Sequence, residues 1–237
     1  MQLIQKTGLA ESSDQQLMAE KLNMNNSHVL ELGCGTAFVT RKLAEAYPSA
    51  HITAAEVDRI QHDKNLQIDD LPNVDFILAG MQDIPLPNGS IDLVIMLKSL
   101  HHVPTELLLQ GFQEIHRVLK KNGRVYISEP VFDGAFNEIL KMFNNEEQVR
   151  KSAFEAIKQE VDSDRFDLVE EIHFLSRSQF EDFKAFEARI LNATHSEFNV
   201  SAELHQAVMD KFNQHSAATD GSRVFLNPMR VDILAKI

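Results

Sequence analysis

The feature that most constrains this chain is a regular alternation of short apolar runs with helical patterns between residues 28 and 130. Val29 to Leu32, Ile52 to Val57, Val74 to Ala79, Ile91 to Leu97 and Val125 to Ser128 read as strands. The fourth is almost wholly apolar, as a strand covered by helices on both faces must be. Between them, Phe38 to Tyr47 has helical spacing and stops at Pro48, and Asp58 to Leu66 reads as a polar helix. Thr105 can cap a helix carrying Leu107, Leu108, Phe112, Ile115 and Leu119 on one face, with its end expected at Asn122-Gly123. Strand, helix, strand repeated at this pitch means right-handed crossovers and a parallel sheet. The expected class is α/β, with a doubly wound sheet.

After Pro130 the character changes: of the 15 Phe residues, all but Phe38, Phe76 and Phe112 lie at or beyond Phe132. Phe136, Ile139, Leu140 and Phe143 follow helical spacing, Phe180, Phe183, Phe186 and Ile190 suggest a second helix, and Ala202 to Phe212 a third. Phe166 to Phe174 fits a sixth strand and Arg230 to Ile237 a closing one. The 237 residues are expected to form one domain: a helical N-terminal segment over 1–27, a binding core over 28–130, and substrate-side helices with the last two strands over 131–237. The Phe-rich helices could cover a substrate or simply form the core of the added layer, since an amphipathic helix needs an apolar face in either case.

Lys and Arg number 23 against 35 Asp and Glu, a net charge of −12. Nucleic acid is bound largely by displacing counterions with cationic side chains, so this balance disfavours it as a partner. The tight basic clusters, Arg117 with Lys120 and Lys121, and Arg150 with Lys151, read as solvated helix ends. A single cysteine excludes an internal disulfide and a multi-cysteine zinc site. The N-terminal residues lack an apolar targeting core and no run approaches ~18 apolar residues, so a cytoplasmic protein with no membrane association is expected.

The sharpest motif is His28-Val-Leu-Glu-Leu-Gly-Cys-Gly-Thr-Ala37, an apolar strand entering Gly33-x-Gly35 ahead of a helix. Such glycines let a backbone approach a ligand at the carboxyl end of the first strand, beside the partial positive charge of a helix N-terminus. A dinucleotide loop would carry a third glycine three positions after Gly35, where this chain has Phe38, and Glu31 would sit badly beside a pyrophosphate. A carboxylate there suits a cationic ligand group such as an ammonium. Glu56 ends the second strand, where an acid can accept ribose hydroxyls, with Asp58 as a fallback. Phe76 to Ile95 reads as strand, turn, Pro-bounded loop and buried strand.

In this order the segments resemble class I S-adenosylmethionine-dependent methyltransferases, and among them the enzymes that act on small molecules. Glu31-Leu-Gly-Cys-Gly35 resembles the family's first motif, Ala79-Gly-Met-Gln-Asp-Ile-Pro85 its adenine-binding segment, and Ser90-Ile-Asp-Leu-Val94 the start of its fourth strand. Leu100-His-His-Val103 and Leu119-Lys-Lys-Asn-Gly-Arg-Val125 resemble the family's segments beyond that strand. The resemblance implies a Rossmann-like, seven-stranded, mostly parallel sheet with an antiparallel last strand and helical insertions after the fifth. It implies S-adenosylmethionine as cofactor and a small-molecule methyl acceptor. Gly33 and Gly35 would shape the loop, Glu31 face the amino acid end, Glu56 bind the ribose, Met81 and Gln82 flank the adenine, Leu97 line the pocket, and Val57 would be a further cofactor-binding residue. The family often has Gly-Asp where this chain has Ala79-Gly80, and usually a third glycine at Ala37.

Methyl transfer asks mainly for placement, since aligning nucleophile, carbon and sulfur can supply on the order of 7–11 kcal/mol. A base helps only an acceptor that starts protonated; His101, His102 and Glu129 are the candidates at the mouth. His101, His102 and His116 have no carboxylate spaced to complete a metal set, so no metal is expected. Cys34, between the glycines, is expected to be structural. A protein that binds the cofactor without turnover, or a methyltransferase acting on RNA or protein, are the alternatives.

Overall fold

A computed structural model describes residues 1–192, 200–215 and 221–237. One sheet organises it. Its strands are β1 (Ala10–Ser12), β2 (His28–Leu32), β3 (His51–Glu56), β4 (Val74–Leu78), β5 (Ile91–Leu97), β6 (Leu119–Pro130), β7 (Phe166–Phe180) and β8 (Arg223–Lys236). They lie in the order β1-β7-β8-β6-β5-β2-β3-β4. Strands β2 to β6 are mutually parallel, while β8 runs antiparallel between β6 and β7. The expected seven-stranded doubly wound sheet is therefore present, with one strand more. Ala10–Ser12 pairs parallel with residues 174–176 at the edge, and three residues are too short to show a period in the sequence.

The helices are α1 (Asp14–Lys21), α2 (Phe38–Ala46), α3 (Arg59–Asn65), α4 (Leu108–Val118), α5 (Ala135–Leu140), α6 (Glu147–Asp162), α7 (Phe183–Phe186) and α8 (Ala202–His215). Helices α4 and α6 cover one face of the sheet, through Leu108, Phe112, Ile115, Ala153 and Ile157. Helices α1 and α2 cover the other, through Leu17, Met18, Leu43 and Ala44. Burial on both faces explains the continuous apolar run of β5.

Several boundaries differ from expectation, each for a physical reason. Helix α4 ends at Val118, and Asn122, with φ +62°, instead makes an irregular turn as β6 joins the sheet. Strand β7 runs on through Phe180, so the expected second Phe helix is reduced to α7 and one wider turn over Glu187–Leu191. Strand β8 begins at Arg223 rather than Arg230. Helix α6 has no counterpart among the expected elements: its inward face is Arg150, Ala153, Phe154, Ile157 and Glu160, so charged residues at both ends hide the apolar period. The Phe rings form a third core of their own. Phe180, Phe186, Phe212 and Phe225 are buried together, with Phe136 stacked on Phe180 at 5.9 Å between centroids. They are the interior of an added layer, not an open cover.

Candidate active site

The site is assembled at the carboxyl ends of the parallel strands. The chain leaves β2 through Gly33, at φ +78°, and Gly35, at φ +53°. A Cβ on Gly33 would lie 2.7 Å from that of Ser99, so a glycine is required there. A Cβ on Gly35 would meet nothing within 4 Å, so open space lies beside the loop. The amides of Gly33 and Cys34 both donate to the carbonyl of Ala55, at 2.9 and 3.0 Å, fixing the loop to β3. Ala37 enters α2 at φ +59°, in the left-handed region that favours glycine.

Two acids flank the loop. Glu31 is buried, accepts the Thr40 hydroxyl at 2.6 Å, and has no cationic partner among the described residues. Burial pushes its carboxyl up to about 7, against the Thr40 hydrogen bond that lowers it. A buried acid without a cation has unmet demand for positive charge. Glu56 is also buried, and its carboxylate accepts the amides of Gly35 at 2.8 Å, Val57 at 2.8 Å and Asp58 at 2.9 Å. It therefore faces the glycine loop, and three of its roughly four lone-pair directions are already filled. Asp58, the fallback, is spent capping α3 through Ile60 and Gln61.

Val57 is exposed at the end of β3, and Leu97 is half-buried at the end of β5. Gln82 lies against Gly80, with its carbonyl accepting Gln110 at 2.9 Å. Met81 is buried, and Gly111 on α4 gives its side chain room in the core, which leaves only its backbone beside the loop. Cys34 is buried and bonded by Asn65 at 3.5 Å; burial, then the charges of Glu31 and Glu56, push its thiol well above the ordinary range. That environment makes it a poor nucleophile.

A second cluster lies across the same edge, linked to the first by Ser99, whose hydroxyl donates to the carbonyl of Leu32 at 2.9 Å. Two residues on, His101 is buried and its Nδ1 makes a short hydrogen bond to Glu129. The other Glu129 oxygen accepts the Leu100 amide at 2.9 Å. His102 is exposed, its ring 4.1 Å from that of His101 between centroids. The three proposed base residues thus come together. His116 does not join them: it packs edge-on against Phe166.

Two further residues reach this cluster that sequence reasoning missed. Glu146, just before α6, brings an oxygen to 3.9 Å from His101 Nε2. Arg150, one turn later, donates to Glu146 at 2.6 Å, and to Asn137 at 3.0 Å. It is buried, so it is no solvated helix end; a guanidinium with this many acceptors can be held inside. Burial works to raise the Glu146 carboxyl, but Arg150, His101 and His102 together hold it below the usual range. A cavity of about 100 Å³ adjoins the cluster, lined by Ile4, Glu129, Phe132, Arg150 and Arg230 among others.

Residues 29–123 match the family described as a methyltransferase domain. A demethylmenaquinone methyltransferase of Chlamydia muridarum is 26% identical over 114 residues, covering 48% of this chain and 49% of that protein. The chain spans half or less of the length of the first curated relatives it matches. Among solved structures, the YcgJ protein of Bacillus subtilis superposes with a TM-score of 0.63 at 14% identity, covering 94% of this chain and 96% of that one. Geranyl diphosphate C-methyltransferase of Streptomyces coelicolor does so with a TM-score of 0.56 at 13% identity, covering 94% and 78%. Among the described residues no helix is long and apolar enough to cross a membrane. The ordered strands and the glycine loop thus stand on one carboxyl edge, residues 29–123 match a methyltransferase domain, and the chain shares the fold of these solved structures.

Proposed function

We propose that this protein transfers a methyl group from S-adenosylmethionine to a small-molecule acceptor. One observation carries the reading: two buried acids, Glu31 with no cationic partner among the described residues and Glu56 held by backbone amides, flank a glycine loop with open space beside it. The cofactor, when bound, supplies a methyl made electrophilic by a sulfonium. Glu31 would meet its ammonium, an interaction made strong by the burial that now raises the acid. Glu56 would hold a ribose hydroxyl with its remaining acceptor position while keeping the loop amides in place. Val57, Gln82, the Met81 backbone and Leu97 would border the nucleoside.

The acceptor would enter beside His101, His102 and Glu129. His101 and Glu129 are spent on each other, which makes them a positioning pair, and orientation is where such a reaction gains most of its rate. The small cavity and the net charge of −12 support a small molecule over RNA or protein. A relative named for demethylmenaquinone supports an apolar ring compound as the first acceptor to try. We place the protein in the cytoplasm.

Calorimetric titration with S-adenosylmethionine and S-adenosylhomocysteine tests the reading, with Glu56→Ala as the second arm. Wild type is expected to bind both. The variant should bind ten- to a hundred-fold more weakly, as charged hydrogen bonds are worth roughly 1.5–3 kcal/mol. If wild type binds neither, the cofactor reading fails; if Glu56→Ala binds equally well, only the ribose role fails. Binding without transfer of labelled methyl to any acceptor would favour a non-catalytic binding protein.

A further inference from the structure

We infer that His101, His102 and Glu146 form a site for one divalent cation of the zinc class, held in shape by Glu129 and Arg150. The ligand atoms of the three residues all lie within 4.8 Å of one another. The fold brings the two histidines an acid from beyond α5, Glu146, more than forty residues along the chain.

His101 sets the geometry. Its Nδ1 is committed to Glu129, so in the neutral ring the proton sits there and Nε2 presents a lone pair. That nitrogen lies 3.9 Å from a Glu146 oxygen, the histidine buried and the acid half-buried. A cation placed between a ring nitrogen and a carboxylate is attracted by both. A carboxylate that binds one ring nitrogen and aims the other is the arrangement that orients histidines toward metals. Ligands of tetrahedral zinc stand about 3.4 Å apart, and the three ligand atoms here, within 4.8 Å of one another, would draw together around an ion. His102, exposed on the next position of the same short turn, can complete the set.

Glu146 is equally prepared. The oxygen nearer His101 accepts Arg150 at 2.6 and 3.2 Å, while the other accepts Asn144 at 2.8 Å and keeps a lone pair for a cation. Arg150 is itself anchored on Val131 and Asn137 and orients the acid. Glu129 and Glu146 against Arg150 leave one negative charge, which a divalent ion overcompensates by one. Two imidazoles and one carboxylate select zinc-like ions over magnesium or calcium, which prefer all-oxygen ligands. Three protein ligands leave a fourth position at the mouth, able to take a hydroxyl, thiol or carboxylate of an acceptor. That last use rests on the methyl-transfer reading; binding of the ion does not, and it is measured with no methyl donor present.

The test is calorimetric titration of the chelator-stripped full chain with Zn²⁺, alongside its thermal shift. Wild type should bind one equivalent and melt higher with zinc. His102→Asn and Glu146→Gln should each weaken binding at least about ten-fold, and excess Mg²⁺ should not compete. His51→Asn, a histidine on the opposite edge of the sheet, should leave the constant unchanged. Should Glu146→Gln fail to fold for want of the Arg150 ion pair, the exposed His102→Asn carries the test. No stoichiometric binding, equal effects of His102→Asn and His51→Asn, or displacement by Mg²⁺ would each overturn the inference.

Discussion

The two halves of the sheet's carboxyl edge are built on opposite plans. Beside β2 and β3, backbone does the work: amides of the glycine loop, tied to Ala55 and Glu56, shape the space, and side chains contribute two acids. Beside β5 and β6, side chains do it: His101, Glu129, Glu146 and Arg150 hold one another across long stretches of chain. A backbone-shaped site tolerates little sequence change but works for one ligand. A side-chain-shaped site can be retuned residue by residue. The first plan suits a shared methyl donor and the second a variable acceptor.

Independence of the two plans can be broken at the Phe core, where the largest effect is expected. Phe180→Ala removes a ring packed on Phe136, Phe186, Phe212 and Phe225, and should cost about 3–5 kcal/mol in urea unfolding. Affinity for the methyl donor should stay within about two-fold. A parallel fall in donor affinity would mean that the layers form one unit.

Glu31→Gln sharpens the contrast from the other side. The folded acid titrates near 7 against 4.5 for an unperturbed one, so stability held below the lower value is lost as pH rises through the upper. The shift corresponds to roughly 3 kcal/mol, which the Gln variant should recover at pH above the upper value in a denaturation series. Donor binding asks for the ionised form. Wild-type affinity should therefore climb by up to about ten-fold per pH unit below the folded value, and the variant's should stay flat. A flat wild-type profile would remove Glu31 from the ammonium.

The smallest effect lies at Ala37. Its φ of +59° is strained for any residue with a Cβ, so Ala37→Gly should raise stability by roughly 1 kcal/mol in the same unfolding assay. No change, or a loss, would show that the helix entry has relaxed around alanine.

The same contrast decides what the sequence reveals. Glu31, Gly33, Gly35 and Glu56 stand at strand ends inside unbroken motifs, so their grouping could be read directly. The parallel run of β2 to β6 is legible from apolar period and pitch. Glu146 and Arg150 could not be read, because a buried arginine on the inward face of α6 looks, in sequence, like a solvated one. Nor could the burial of Met81, which depends on Gly111 leaving space from a different helix. What escaped was wherever a charge or a side chain had been accommodated by partners distant along the chain.

Strand β8 has a consequence for how the molecule assembles. It slots between β6 and β7, pairing residues 223–236 with segments as far back as residue 124, and among the described residues it is the strand through which β7 and β1 pair into the sheet. Sheet growth outward from β2 must halt at β6 until that strand arrives, so closure depends on contacts remote in the chain and should be the slow step of folding. Until then β6 presents an unpaired edge, and the histidine cluster beside it lacks its finished wall.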